Sequence, residues 1–425
     1  MILVAIVFFT LLVMGLPVAF AMGAAGAVFF LQHPELPFTQ PAQQTISQTQ
    51  NFLLLAVPLF IFAGSLLNHS GITKRLLNLA TILTGRLRGG LAQASLALSA
   101  MMGGVSGSAI ADAAMQSRMI GDEMVDRGMP RGFVAAILSF GAVLTPIIPP
   151  GIGMILYGTI GQVSIGRMFA AGIVPALLLW LALGLATAIT ARRSGWRPEQ
   201  TRRPTRREAF RALGAGFWAL LFPVFLLLGL RSGLFTPSEI GAFAVVYGLF
   251  VGFIIYREMN ARSFGTSVAT SLADIGAVML LIAMSAALSY GIILERVPET
   301  IASSVLDLTD NLQLIMVIIV LMVIAAGFFI DATILIIILT PIVLPLVEAQ
   351  GGNDVHFGIV FIIAATIGNF TPPVGAAMYA VCTILKVPIG EYTRASLPLI
   401  AAVTAVIVAL IFLPNLVLFL PNVLF

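Results

Sequence analysis

Asp112 follows closely on a run of small residues, Gly103, Gly104, Ser106, Gly107 and Ser108, in the stretch GGVSGSAIADAAMQSRM at 103–119. Serine hydroxyls, a glycine backbone that can approach another segment, and a nearby carboxylate form a donor set suited to a hard cation. Two other stretches offer hard oxygen by a different route: TPIIPPGIGMILYG at 145–158 and TPPVGAAMYA at 371–380. Proline has no backbone N–H and clashes with the preceding turn, so Pro149-Pro150 and Pro372-Pro373 unwind a helix and free its carbonyls to act as ligands. GFFID at 327–331 ends on a second carboxylate, Asp331, behind the bulkier Phe328 and Phe329. Plainer readings stand beside these: a proline kink, tight helix packing at the small run, and an Asp112 that simply faces the cytoplasm.

Catalytic chemistry finds less support. Gly104-Val105-Ser106-Gly107 matches the short pattern of an intramembrane serine protease, but His33, His69 and His356 all fall in loops or at span ends, away from a base's position beside the serine. An aspartyl protease would need Asp112 and Asp331 paired across a cleft, whereas they fall in separate hairpins. No HExxH, GxSxG or phosphate-cradling pattern occurs. The single Cys382 forms no internal disulfide, and no His/Cys cluster has metal-ligand spacing. The chain reads as neither an enzyme nor a user of ATP, and no organic cofactor is expected.

The elements that must position these residues are membrane helices. With 59% hydrophobic and 9% charged residues and a mean hydropathy of +1.06, the chain carries more apolar surface than one soluble core buries. Continuous apolar windows of about 20 residues predict an all-α polytopic membrane protein. We place spans near 2–31, 52–69, 132–160, 169–190, 213–230, 240–256, 268–294, 357–385 and 397–420, and re-entrant hairpins at 91–120 and 313–347. Ala19-Phe20-Ala21 imitates a signal-peptidase site but follows no basic segment, so it is read as part of a retained span. The run Arg192, Arg193, Arg197, Arg202, Arg203, Arg206, Arg207 and Arg211 is a topology signal, and no nucleic-acid partner is inferred from it. With that loop cytoplasmic, 19 of the 22 basic residues lie inside, leaving only Arg167, Arg231 and Arg296 outside. The N-terminus is then cytoplasmic and the C-terminus periplasmic.

This layout exposes a repeat. Residues 1–190 and 240–425 each run span, span, amphipathic arm, hairpin, proline-broken helix (132–160 and 357–385) and span. Residues 191–239 supply the Arg-rich loop and one linking span that turns the second half over. Pro150 and Pro373 are offset by 223 positions; Asp112 and Asp331, taken as counterparts, by 219. Asp307, Asp310, Glu348 and Asp354 flank the second hairpin, where the first is flanked by arginines. Inverted repeats with paired broken helices predict a transporter whose site lies at the midplane.

Four blocks resemble the large membrane subunit of tripartite ATP-independent periplasmic (TRAP) transporters: GGVSGSAIADAA at 103–114, IIPPGIGMILYG at 147–158, SGLFTPSEIGAFAVVYG at 232–248 and NFTPPVGAAMYA at 369–380. The resemblance implies an elevator-type, sodium-driven importer of small organic acids in a bacterial or archaeal cytoplasmic membrane. It implies two partners, a periplasmic substrate-binding protein and a small four-span membrane subunit. Carried over residue by residue, one sodium site takes Ser106, Gly107 and Ser108 with Pro149, Pro150 and Gly151. The second takes Gly327 and Asp331 with Thr371, Pro372, Pro373 and Gly375, and Asp112 supplies charge near the first. Where the family commonly has a serine and then a proline after the first double proline, this chain has Gly151 and Gly153, so Gly151 offers only backbone. The substrate is left open among C4-dicarboxylates, keto acids, sugar acids and sialic acid. A self-sufficient carrier of related architecture stays the alternative, with the intramembrane protease a remote third.

Overall fold

The computed structural model describes residues 1–196, 204–306 and 309–425. Arg197, Arg202 and Arg203 of the basic loop and Asp307 of the acidic flank lie outside the described residues. All regular elements among the described residues are helices. Seven of them are long and apolar enough to cross a membrane, or eight when one bent pair counts as a span. The protein is a multi-pass membrane protein.

The first half opens with α1 (Ile2–Val13) and α2 (Val18–Gln32). The expectation of one span over 2–31 is corrected here: Gly15 turns into the left-handed region at φ 83° and Pro17 follows, splitting a run that hydropathy alone reads as continuous. A helix not anticipated, α3 (Gln40–Thr49), lies in the connection before α4 (Ala56–His69), which continues a 3-10 turn from Phe52, and the amphipathic arm α5 (Ile72–Thr84) follows. The hairpin is α6 (Gly90–Gly103) and α7 (Ala109–Asp126). The broken helix follows as α8 (Arg131–Gly141), a 3-10 stretch Ala142–Ile147 and α9 (Ile152–Ile160), bent by 45° at the double proline. Then come the long α10 (Ile165–Arg193) and the linking α11 (Arg206–Arg231).

The second half repeats the order: α12 (Pro237–Leu249) with a π-helical extension to Ile255, α13 (Ala261–Leu294), the arm α14 (Val297–Leu306), the hairpin α15 (Leu312–Gly327) and α16 (Ala332–Ala349), the broken pair α17 (Asp354–Phe370) and α18 (Ala376–Leu385), then α19 (Ile389–Phe412) and α20 (Asn415–Leu424). The predicted span 397–420 is likewise two helices, because Pro414 cannot donate the backbone bond that would carry α19 past Phe412. Both double prolines contain a cis bond, Pro149-Pro150 and Pro372-Pro373.

Packing is reciprocal between the halves. α7 lies against α18 and α16 against α9, while α8 meets α19 and α17 meets α10. The second arm of each hairpin therefore braces the other half's broken helix. α17 is buried along its length from Val355 to Phe370 and forms the centre of the core, as a helix apolar on nearly every face must. Leu177, Leu181 and Leu185 on α10 stay exposed at four-residue spacing, one apolar face turned outward toward lipid.

The register of the repeat corrects one pairing. Ala109, Arg131 and Ile152 start elements whose counterparts start at Ala332, Asp354 and Ala376, offsets of 223, 223 and 224. At 223, Asp331 aligns with Ser108 and not with Asp112, whose position in the second half is held by Leu335. Ser108 and Asp331 do the same local work: each caps the second arm of its hairpin, Ser108 accepting from the Ala111 N–H and Asp331 from the Thr333 N–H.

Candidate functional site between the hairpin tips

The two capping residues face one cavity of about 610 Å³. Ser106, Gly107 and Ser108 line it from the first tip, Asp331 and Thr333 from the second, and Thr366 and Asn369 from α17. The opposite wall belongs to α4 and α13, with Ser65, Asn68, His69, Thr270 and Asp274. No Lys or Arg lines it among the described residues.

At the first tip, Gly107 adopts φ 62°, and a Cβ there would lie 2.6 Å from the Pro150 carbonyl oxygen and 3.4 Å from Gly151 Cα. Only glycine fits a left-handed turn this close to another backbone. The predicted first set is thus brought together: the small run sits on the unwound segment after Pro149. Among the described residues the carbonyls of Ile148, Pro149 and Pro150 accept no hydrogen bond, so they are available to a cation.

At the second tip, a Cβ on Gly327 would lie 2.9 Å from Gly368 Cα, so α15 and α17 cross with backbones nearly touching. Asp331 Oδ2 accepts from Asn369 Nδ2 at 3.0 Å, and Asn369 Oδ1 is buried with no partner. The carbonyls of Thr371, Pro372 and Pro373 accept no hydrogen bond among the described residues, and Gly375 packs against the Asn369 and Thr371 carbonyls. A carboxylate, an orphaned amide oxygen and free carbonyls form an oxygen-only set suited to a hard cation. Asn369 was missed in the sequence although it adjoins the TPP motif, because a lone amide in an apolar run carries no spacing signal.

Asp112 stands apart from both sets. It is 1% exposed, and its carboxylate accepts from Ser99 Oγ (2.8 Å), Gln116 Nε2 (3.0 Å) and Thr145 Oγ1 (3.0 Å). These are side chains of α6, α7 and the 3-10 stretch of the broken helix, not the backbone amides of the tip. The residue ties the hairpin to the segment on which the tip rests. His69 shares the cavity with Ser106, but its Nδ1 bonds the Ser65 carbonyl while the Ser106 hydroxyl donates to Met102. No Ser–His hydrogen bond forms between them.

Residues 5–416 match the family model described as the tripartite ATP-independent periplasmic transporter, DctM component. The chain belongs to the DctM family. Among its relatives, the 2,3-diketo-L-gulonate TRAP transporter large permease protein YiaN of Escherichia coli is 31% identical over 95% of this chain and 94% of its own length. The sialic acid TRAP transporter large permease protein SiaM of Vibrio cholerae is 31% identical over 97% and 96%. The isethionate TRAP transporter permease protein DctMQ of Oleidesulfovibrio alaskensis is 34% identical over 96% of this chain, which spans 64% of that protein's length. This chain also shares its fold with the YdaH transporter of Alcanivorax borkumensis, whose crystal structure reveals an unusual topology: TM-score 0.61 at 17% identity, covering 89% and 88% of the two chains.

Proposed function

We propose that this DctM-family large permease is the translocation subunit of a sodium-coupled importer of small organic acids in the cytoplasmic membrane, working with a periplasmic substrate-binding protein and a small membrane subunit. The observation that carries the reading is the convergence of both hairpin tips, each resting on or tied to a proline-broken helix, on one cavity without a Lys or Arg. An organic anion entering such a cavity lacks a fixed cationic partner, and an unpaired charge in a low-dielectric site is costly. Cations held at the two tips supply the missing charge, so the anion binds well only when they are present. That dependence is the physical basis of coupling. Relatives named for diketogulonate, sialic acid and isethionate, all organic acids, support the substrate class. The hairpins and broken helices form a moving unit against the wall of α4 and α13, an elevator in which the cavity travels with its ions.

The test is uptake into liposomes containing the complex, with a sodium gradient imposed. Uptake should vanish when choline replaces sodium on both sides and fall at least tenfold in the Ser106→Ala, Ser108→Ala double variant. Uptake unaffected by choline would remove sodium as the coupling ion. Transport without any binding protein would favour a self-sufficient carrier.

A further inference from the structure

Asp274 is the only charged residue between Arg262 and Glu295. It lies at the fourteenth position of the 34-residue α13, about 20 Å along the helix at 1.5 Å per residue. Its side chain lines the cavity, opposite the hairpin tips, and has no hydrogen-bond or ion-pair partner among the described residues. A carboxylate within an apolar membrane helix marks a substrate or ion path by default, and neither predicted ion set uses it.

Its neighbours on the same wall are acceptors too. The Thr270 hydroxyl donates to the Thr266 carbonyl at 2.9 Å, and the Ser65 hydroxyl donates to the Ser267 carbonyl at 3.3 Å. Their protons are committed to backbone, so toward the cavity these oxygens only accept. His69 donates through Nδ1 to the Ser65 carbonyl at 2.9 Å. The wall of α4 and α13 thus presents the Asp274 carboxylate with the Ser65 and Thr270 hydroxyl oxygens as acceptors, beside the Asn68 amide.

We propose that Asp274 is a specificity residue that receives hydrogen bonds from hydroxyl or ammonium groups of the transported acid, and that the substrate is a hydroxylated or amino acid and not a bare mono- or dicarboxylate. This rests on the organic-acid reading above. An acid with no donor offers Asp274 and its neighbouring acceptors no partner, whereas a polyhydroxy acid satisfies them while its carboxylate meets the cations at the tips. Sites built to hydrogen-bond a substrate hydroxyl reject the analogue lacking it strongly.

The experiment is thermal stabilisation of the full-length protein in lipid nanodiscs at saturating sodium, using acids matched in carbon skeleton: succinate with tartrate and aspartate, adipate with galactarate, hexanoate with gluconate. At least one donor-bearing acid should bind ten times or more tighter than its bare partner. Asp274→Asn and Asp274→Ala should abolish that difference while keeping the shift caused by sodium alone, which reports that fold and ion sites are intact. Equal binding of a bare acid and its hydroxylated partner, or a preference that survives in both variants, overturns the role of Asp274 and leaves organic-acid transport standing. Stabilisation by sodium with no response to any acid overturns the organic-acid reading and this proposal together.

Discussion

Thr145 donates its hydroxyl proton to Asp112 Oδ2 over 3.0 Å, joining the first hairpin to the broken helix 33 residues further along the chain. Ser99 and Gln116 complete the set around the same carboxylate. Removing the acceptor leaves the buried Ser99 and Thr145 hydroxyls without one, while Gln116 Nε2 keeps its bond to Ser99 Oγ at 2.6 Å, and each unsatisfied buried group costs roughly 1–3 kcal/mol. Asp112→Ala should therefore destabilise the protein markedly, and Thr145→Val by about 1 kcal/mol. Heat or detergent denaturation of the purified variants measures this; an Asp112→Ala protein as stable as the parent would remove the tie from the account.

Gly107 and Gly15 separate backbone strain from tip contact. Both have positive φ, but a Cβ at Gly107 meets the Pro150 carbonyl at 2.6 Å, while one at Gly15 meets nothing within 4 Å. Each alanine variant should lose about 1–2 kcal/mol from the left-handed conformation. Only Gly107→Ala, which pushes the tip off the unwound segment, should also lose the sodium-dependent thermal shift. Retention of the full shift in Gly107→Ala would place the ion elsewhere.

His33 links the end of α2 to the end of α13. Its Nδ1 bonds the Phe29 carbonyl and its Nε2 the Glu295 carboxylate, each at 2.9 Å. The Phe29 carbonyl, the largest influence, outweighs desolvation and, with the Glu295 carboxylate, raises the imidazole pKa above its ordinary value of 6.5. A pKa raised in the folded state adds stability that is complete below the ordinary value and is lost as pH climbs through the raised one. The melting temperature should therefore decline between about pH 6 and pH 8 by more in the parent than in His33→Gln. Parallel pH profiles for the two proteins would show that the contact contributes nothing.

Orientation follows from the basic residues, 19 of 22 on one side in the proposed topology. Alkaline phosphatase fused after Arg193 should be inactive, and the same enzyme fused after Phe425 should be active in the periplasm. The opposite pair of results would invert the arrangement of every span.

Much of the architecture was written locally. Pro149-Pro150, Pro372-Pro373 and the glycines of the first tip act on the backbone at their own positions, so the breaks and hairpins fall where those residues stand. Local signals failed where the apolar background hid them: Gly15 and Pro17 divide α1 from α2, and Pro414 divides α19 from α20, within runs of unbroken hydropathy.

The sequence by itself determined that this is a helical, membrane-spanning protein with two double-proline breaks, because apolar length and proline breaks need no tertiary context. Only the tertiary structure decided what those breaks face. Asp331 proved to be the counterpart of Ser108, and Asp112 a buried tie, because register is set by which helices pack and not by the nearest matching carboxylate. Asn369 joined the second tip, and Asp274 with His69 became the opposite wall, because the cavity draws on positions as far apart as Ser65 and Asn369. A cavity is shared space between distant segments, and the pairing of distant segments is a property of packing that no single stretch of chain encodes.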